Sequence, residues 1–477
     1  MKHDYGIYLS YWKYKKSRAG KHILANEPSS AFFVAKSTTQ ARANAAAART
    51  ILEADSVNAS FPMASRPPPQ SPSPSASPLL RVLAALSAIG GAHGLTMPAY
   101  LAHSQASFGY VQDAPIPELG SLRDVFTNLS STCEVLVNVK ASSVNPTDRH
   151  VDAYRLPKVM GADVAGVVVK VEDSCSLLKP GDKGNIGQSL LLALLRNGRS
   201  IVSFRKKCPF SPSPINMWGD IGANAFFANG TKTKELGAYG AFAVALESQL
   251  GKMPENIGYL EAGVLPKVAL TSYKALVWYA AAPWSSPQRQ EIYDHDDDGN
   301  HDDGGKDVLI LGGSGGTGSI GLQLARVFGA RSLVTTTSSK NAAYCTSLGA
   351  TRVIDYHTEN WWEVLPSDSF DVIYDTVGQE GTADRAMQKL RRGGSFVTIA
   401  GALSQHPKPG VSQNFFINSD TNLSNLKELN ALKGLVEDFN LTMHIDGQFN
   451  LSRVEEAFDM SAQGHVVGKV SVAVSLQ

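Results

Sequence analysis

Residues 307–329 read DVLILGGSGGTGSIGLQLARVFG, and within them Gly313, Gly315 and Gly318 have the G-x-G-x-x-G spacing. Glycines in this arrangement act through the side chains they lack. The first permits a tight turn, the second lets the main chain approach a pyrophosphate, and the third lets a helix pack near the strand before it. Such a motif is weak evidence alone. Here an apolar strand, DVLIL, ends directly before it, and a helix with Ile320, Leu324, Val327 and Phe328 on one face follows. The free N–H groups and dipole of that helix start favour an anion. Gly313, Gly315, Gly316, Thr317 and Gly318 are therefore expected to bind the pyrophosphate of a dinucleotide.

The second strand suggests which dinucleotide. An acid at its end would accept the ribose hydroxyls of NAD, but this chain has Thr335-Thr336-Thr337-Ser338-Ser339-Lys340. Hydroxyls and a lysine suit a 2′-phosphate, so NADPH is expected, with Ser338, Ser339 and Lys340 nearest to it. After the third strand, Tyr356 either reaches the adenosine phosphate or packs in the core. Gly378, after the fourth, either admits the nicotinamide or only ends a strand.

Metal chemistry has little to draw on. Cys133, Cys175, Cys208 and Cys345 are scattered with no zinc or dithiol spacing, and inert buried thiols in a reducing compartment are expected. The run YDHDDDGNHDDGG near residue 300 lacks rigid spacing and reads as a solvated loop.

The elements that must hold these residues follow two rhythms. Residues 134–141, EVLVNVKA, alternate as a half-buried strand does, and 164–171 are almost continuously β-branched. From about residue 306, short apolar strands at 307–311, 332–336, 352–354, 371–374 and 395–399 alternate with helical stretches, the pattern of a parallel sheet covered by helices. Amphipathic helices over 425–439 and 451–462 and a strand over 469–474 close the chain. The fold class is α/β.

Composition bounds the rest. The 477 residues carry 44 Lys+Arg against 43 Asp+Glu, a net charge of +1, which gives no global attraction to nucleic acid or anionic membrane. The first 96 residues are basic, with Asp4, Glu27, Glu53 and Asp55 the only acids, and include RPPPQSPSPSASP. They are expected to be a disordered tail, a targeting segment, or upstream sequence from a misplaced start, so cytoplasmic and organellar locations both stand. Residues 79–94 are too short and interrupted for a confident membrane span.

Several ordered segments, SVNPTD at 143–148, GADVAGVV at 161–168, PGD at 180–182, LTSYKAL at 270–276, the glycine turn, and GHVVGK at 464–469, resemble the medium-chain dehydrogenase/reductase superfamily, in its zinc-free quinone oxidoreductase (zeta-crystallin-like) branch. The resemblance implies a Rossmann sheet of strand order 3-2-1-4-5-6 beside a β-rich, GroES-like catalytic domain. The corresponding divisions are 1–96, 97–270, 271–420 and a return to the catalytic domain over 421–477. It also implies that Asn145 lies near nicotinamide and substrate, that Asp148 orients that loop, and that Tyr154 faces the pocket. Asn145 as a plain turn former, Asp148 as a structural acceptor and Tyr154 as packing remain open. Thr271 is expected to contact the nicotinamide end or to cap a helix. Zinc relatives carry Gly-His-Glu where this chain has Gly161-Ala162-Asp163, which points to zinc-independent reduction of a quinone or an α,β-unsaturated carbonyl. An enoyl-thioester reductase and a non-catalytic NADPH-binding sensor or structural protein are the alternatives. A homodimer is compatible with the resemblance. Residues 184–217 depart from it and are expected to be an insertion or a gene-model error; 285–305 form the acidic loop.

Overall fold

A computed structural model describes residues 96–104, 107–120, 133–149, 158–172, 174–175, 215–222, 237–285, 305–418 and 425–475. All belong to the unit Gly94–Gln477. The basic extension, Tyr154, Cys208, the acidic run and nearly all of 184–217 lie outside these residues. Asn216 and Met217, placed in the doubtful segment by sequence, are strand residues paired with Val167 and Gly166.

The first part is built of strands. β1 (Thr96–Ser104) pairs with β2 (Ser107–Pro115) and with the short β4 (Lys158–Val159), after β3 (Glu134–Ser143) in sequence. β5 (Asp163–Val171), β6 (Asn216–Asp220), β7 (Phe242–Leu246) and β8 (Leu250–Lys252) follow, and β3 pairs antiparallel with both β5 and β7. The alternation in β3 predicts one wet face, yet both faces are buried. Val135, Val137 and Val139 enter one apolar cluster and Leu136 another. The polar positions survive burial because each finds a partner: Glu134 accepts the Gly120 N–H (2.8 Å), the Asn138 amide donates to Ala241 O (3.0 Å) and Ser142 Oγ to Asp163 O (2.6 Å).

Helices α1 (Tyr259–Val264) and α2 (Pro266–Lys274) lead to the parallel sheet, the second with proline in its first turn, where no N–H is needed. Strands β9 (Lys306–Leu311), β10 (Ala330–Thr337), β11 (Arg352–Asp355), β12 (Phe370–Asp375), β13 (Leu390–Thr398) and β14 (Ser412–Phe415) form it in the order β11-β10-β9-β12-β13-β14. Numbered from β9, that is 3-2-1-4-5-6. Helices α3 (Gly316–Val327), α4 (Ala342–Ser347), α5 (Trp361–Val364) and α6 (Thr382–Lys389) separate its strands.

α7 (Leu426–Phe439) buries Leu429, Leu432 and Val436 on one stripe. The chain then runs through β15 (Ile445–Asn450), a 3₁₀ turn at Leu451–Arg453, α8 (Val454–Ala462) and β16 (Lys469–Ala473). β16 pairs antiparallel with β3, setting Ser471 opposite Ser143. The last segment thus joins the first sheet, beside the loop that carries Asn145.

The expectation of four inert thiols fails for two of them. Cys133, just before β3, and Cys175, in the turn after β5, form a disulfide with Cα atoms 4.8 Å apart. Antiparallel pairing of β3 with β5 brings these ends together, which spacing along the chain does not reveal. Cys345 is free and buried, and burial raises its thiol pKa to about 11. Among the described residues no helix is long and apolar enough to cross a membrane.

Candidate active site

The strand order of the parallel sheet reverses between β9 and β12, where a doubly wound fold opens a crevice at the strand ends. The glycine turn lies there. It hangs on β10: the Gly312 N–H donates to Thr336 Oγ1 (3.0 Å) and the Gly313 N–H to Thr336 O (3.0 Å). The glycines differ in what requires them. A Cβ at Gly313 would lie 2.2 Å from Thr335 Oγ1, and one at Gly318 2.2 Å from Gly312 O. Folding alone forbids side chains there. At Gly315 the nearest atom to an added Cβ is Gly312 O at 3.6 Å, and φ is −76°, open to any residue. Folding leaves a cradle at Gly315 that a methyl would fill. Ser319 N–H closes the first turn of α3 on Gly315 O (2.8 Å), while earlier N–H groups, including those of Gly316, Thr317 and Gly318, have no intrahelical partner. The residues present fit a bound pyrophosphate.

The end of β10, where the ribose is expected from the sequence, differs in part from that expectation. Thr335, Thr336 and Thr337 are buried, because β10 lies between β9 and β11, and their hydroxyls serve the protein itself. Thr335 donates to Ile310 O (2.6 Å) and Thr337 to Ser314 Oγ (2.8 Å). Ser338 is also buried, whereas Ser339 and Lys340 are exposed. Tyr356 is exposed rather than packed in the core, and stacks on His357 with ring centres 4.2 Å apart. A carboxylate stands nearby after all. Asp355, at the end of β11, accepts the Ser339 N–H (3.1 Å) and the His357 N–H (3.0 Å), and its pKa falls to about 2, chiefly through the His357 N–H. Asp355 follows the third strand in sequence and comes beside Ser339 only because β11 pairs with β10.

Gly378 lies in a turn that needs glycine for folding: φ is +73° and a Cβ would stand 2.2 Å from Ala400 O. Buried Asp375 holds this turn by accepting the Val377 and Gly378 N–H groups (2.9 and 3.0 Å). Thr271 does not cap a helix. It lies inside α2 and donates to Lys267 O one turn back (2.6 Å). Its neighbour Ser272 donates to Thr317 O (2.8 Å), fixing α2 against the start of α3.

Asn145 and Asp148 lie in one buried polar cluster. The Asn145 amide nitrogen donates to Asp163 Oδ2 (2.8 Å), and its oxygen accepts Lys469 Nζ (2.6 Å). Asp148 accepts the Asn145 N–H (2.9 Å) and the Tyr239 hydroxyl (2.8 Å), and its pKa rises to about 6, mainly by burial. Asp163 also takes the Lys267 N–H (2.7 Å) and the Ser143 hydroxyl (2.6 Å). Burial opposes the charge of Lys267, yet Asp220, Asp148 and Asp163 together hold its pKa above the usual lysine value. For Lys469 burial prevails and the pKa falls. Thr147 Oγ1 is buried without a hydrogen-bond partner. Lys267, Lys469, Tyr239 and Thr147 escaped the sequence reading; the GHVVGK segment, used there only for resemblance, was a pointer to Lys469. Among the described residues the metal-capable cluster is Cys133, Cys175 and Glu247, whose sulfurs are joined in the disulfide.

A glycine turn at the switch point of a doubly wound sheet, set against a β-rich unit by the last strand, is the build of a dinucleotide-dependent oxidoreductase. Residues 131–255 match the alcohol dehydrogenase GroES-like domain and 348–472 the zinc-binding dehydrogenase domain. The chain is 32% identical to 2-methylene-furan-3-one reductase of Solanum lycopersicum, over 71% of each chain. It is 30% identical to the chloroplastic NADPH-dependent alkenal/one oxidoreductase of Arabidopsis thaliana, over 71% of this chain and 72% of that one. Among solved structures, the quinone oxidoreductase of Coxiella burnetii shares the fold with a TM-score of 0.55 at 22% identity, over 80% of this chain and 99% of that one. The chain belongs to the medium-chain dehydrogenase/reductase superfamily, whose members bind NAD(P), and is an oxidoreductase.

Proposed function

We propose that this oxidoreductase uses NADPH, without zinc, to reduce an α,β-unsaturated carbonyl or a quinone. The observation that carries the reading is Gly315, a glycine the fold does not need at the place where a pyrophosphate would lie against the main chain. When bound, NADPH supplies the hydride, which with one proton saturates the conjugated C=C bond or reduces the quinone and leaves NADP⁺. The start of α3 holds the pyrophosphate by N–H groups and dipole. Ser338, Ser339, Lys340 and Tyr356 border the 2′-phosphate, with Asp355 held by Ser339 and His357 at the margin. Thr271 and the Gly378 turn border the nicotinamide, and Asn145 orients the substrate side.

Zinc independence is supported by the donors. Ala162 offers no ligand atom where zinc relatives carry histidine. The Asp163 carboxylate is already taken by Ser143, Asn145 and Lys267, against the three ligands a catalytic zinc requires. The relatives near 30% identity are named for unsaturated carbonyl substrates, which puts the enone ahead of the quinone.

The test follows reduced-nicotinamide absorbance with the full chain, a simple enone, a benzoquinone and a 2-enoyl thioester, with and without chelator. Faster loss of NADPH than of NADH, turnover of enone or quinone, and indifference to chelator are expected. Binding of NADPH with no turnover would support a sensor, and turnover confined to the thioester an enoyl-thioester reductase.

A further inference from the structure

Lys469 touches both halves of the site. Its ammonium donates to Asn145 Oδ1 (2.6 Å) and Val144 O (2.9 Å) and lies 3.6 Å from Asp163 Oδ2. Its stem lies against the glycine turn, since a Cβ on Gly316 would stand 2.8 Å from Lys469 Cδ. The main chain makes the same connection. The Gly468 N–H donates to Ser314 O (2.8 Å), and Gly468 bridges Gly315 in parallel. Position 468 itself requires glycine: φ is +66° and a Cβ would meet His444 O at 2.1 Å.

The Asn145 amide thus has a cation at its oxygen and a carboxylate at its nitrogen, an arrangement that selects one of its two flips. From these contacts we infer that Lys469 is a positioning residue, a brace by which the dinucleotide turn fixes the Asn145 loop in the orientation for reaction. The inference deepens the reductase reading and rests on it. Lys469 does no chemistry; it holds the amide that borders the reacting atoms, through a side chain that is only 6% exposed and so has few alternative positions.

The experiment uses the full chain as wild type, Lys469→Met, Asn145→Ala and the double variant. Enone turnover is expressed per NADPH site titrated by fluorescence, so that a loss of folded protein cancels. Hydrogen exchange is followed at 144–148 and 313–318 with and without NADPH. The brace predicts that NADPH protects both segments in the wild type, but only 313–318 in Lys469→Met. Turnover per site falls about 100-fold, as misplacement near 1 Å can cause, and the double variant is no worse than the worse single one. Wild-type turnover per site in Lys469→Met, additive losses, or protection of 144–148 that persists without the lysine would overturn it. Should Lys469→Met not fold, the wild type still decides, because NADPH that protects 313–318 and leaves 144–148 unchanged refutes the brace. A wild type that binds NADPH but reduces no acceptor removes the reductase reading, and the exchange measurement then decides the brace by itself.

Discussion

Gly315→Ala separates binding from folding more cleanly than any other change in the turn. The new methyl would enter space whose nearest atom is Gly312 O at 3.6 Å, on a backbone at φ −76° and ψ 167°. Two small effects on stability oppose each other. Losing glycine at a helix N-cap costs a few tenths to about 1 kcal/mol, and stiffening the unfolded chain returns about 0.4–1 kcal/mol. The melting temperature is expected to stay near that of the wild type. Binding suffers because the methyl lies where the pyrophosphate must approach the main chain. Losing one hydrogen bond to a charged group costs about 1.5–3 kcal/mol, which weakens NADPH binding roughly 10- to 150-fold. Gly313→Ala and Gly318→Ala are the controls, each placing a Cβ 2.2 Å from an oxygen. They should lose about 1–3 kcal/mol of stability as overpacked sites do. Fluorescence titration of NADPH beside thermal melts measures both quantities. Wild-type affinity in Gly315→Ala, or a melting point as low as those of the controls, would refute the cradle.

Lys340→Ala should raise the KM for NADPH about tenfold, the loss of one charge-assisted contact, and leave that for NADH unchanged; equal effects on both would remove Lys340 from the 2′-phosphate site. Asp148 makes stability depend on pH. Its folded pKa, about 6 against an ordinary 3.8, means that the native state holds a proton the unfolded state releases between those values. Its contribution is therefore favourable below about pH 4 and is lost as pH rises through 6, by about 3 kcal/mol. In Asp148→Asn, denaturant melts from pH 4 to 7 should lack this component, and a slope equal to the wild type's would show that Asp148 does not titrate there. The disulfide Cys133–Cys175 spans a sequence separation of 42. In the chain-entropy account its removal by Cys175→Ser costs about 4 kcal/mol, with NADPH affinity unchanged, because Cys133 precedes the ten-residue β3 whose far end leads to Asn145. Unchanged stability after that substitution would show that the bond contributes nothing.

The amino-acid sequence by itself determined the strand–glycine turn–helix unit from Lys306 to Val327, the alternation behind β9 to β13, the helices expected over 425–439 and 451–462, and the alanine at position 162. Each depends on residues close together in the chain: side-chain period, a turn that must lack Cβ atoms, or a ligand atom that is present or absent. Tertiary structure decided the rest. Lys469 meets Asn145 across 324 residues only because β16 pairs with β3. Asp355 reaches Ser339 because β11 lies beside β10, and the place of β10 between β9 and β11 buries Thr335 and Thr337, whose hydroxyls bond to Ile310 and Ser314. Cys133 and Cys175 bond because two antiparallel strands end together. Local pattern sets which element forms and which face it buries, whereas partners distant in sequence are chosen by how sheets pair and helices pack. The cradle at Gly315 was therefore legible as a motif, and the brace behind it was not.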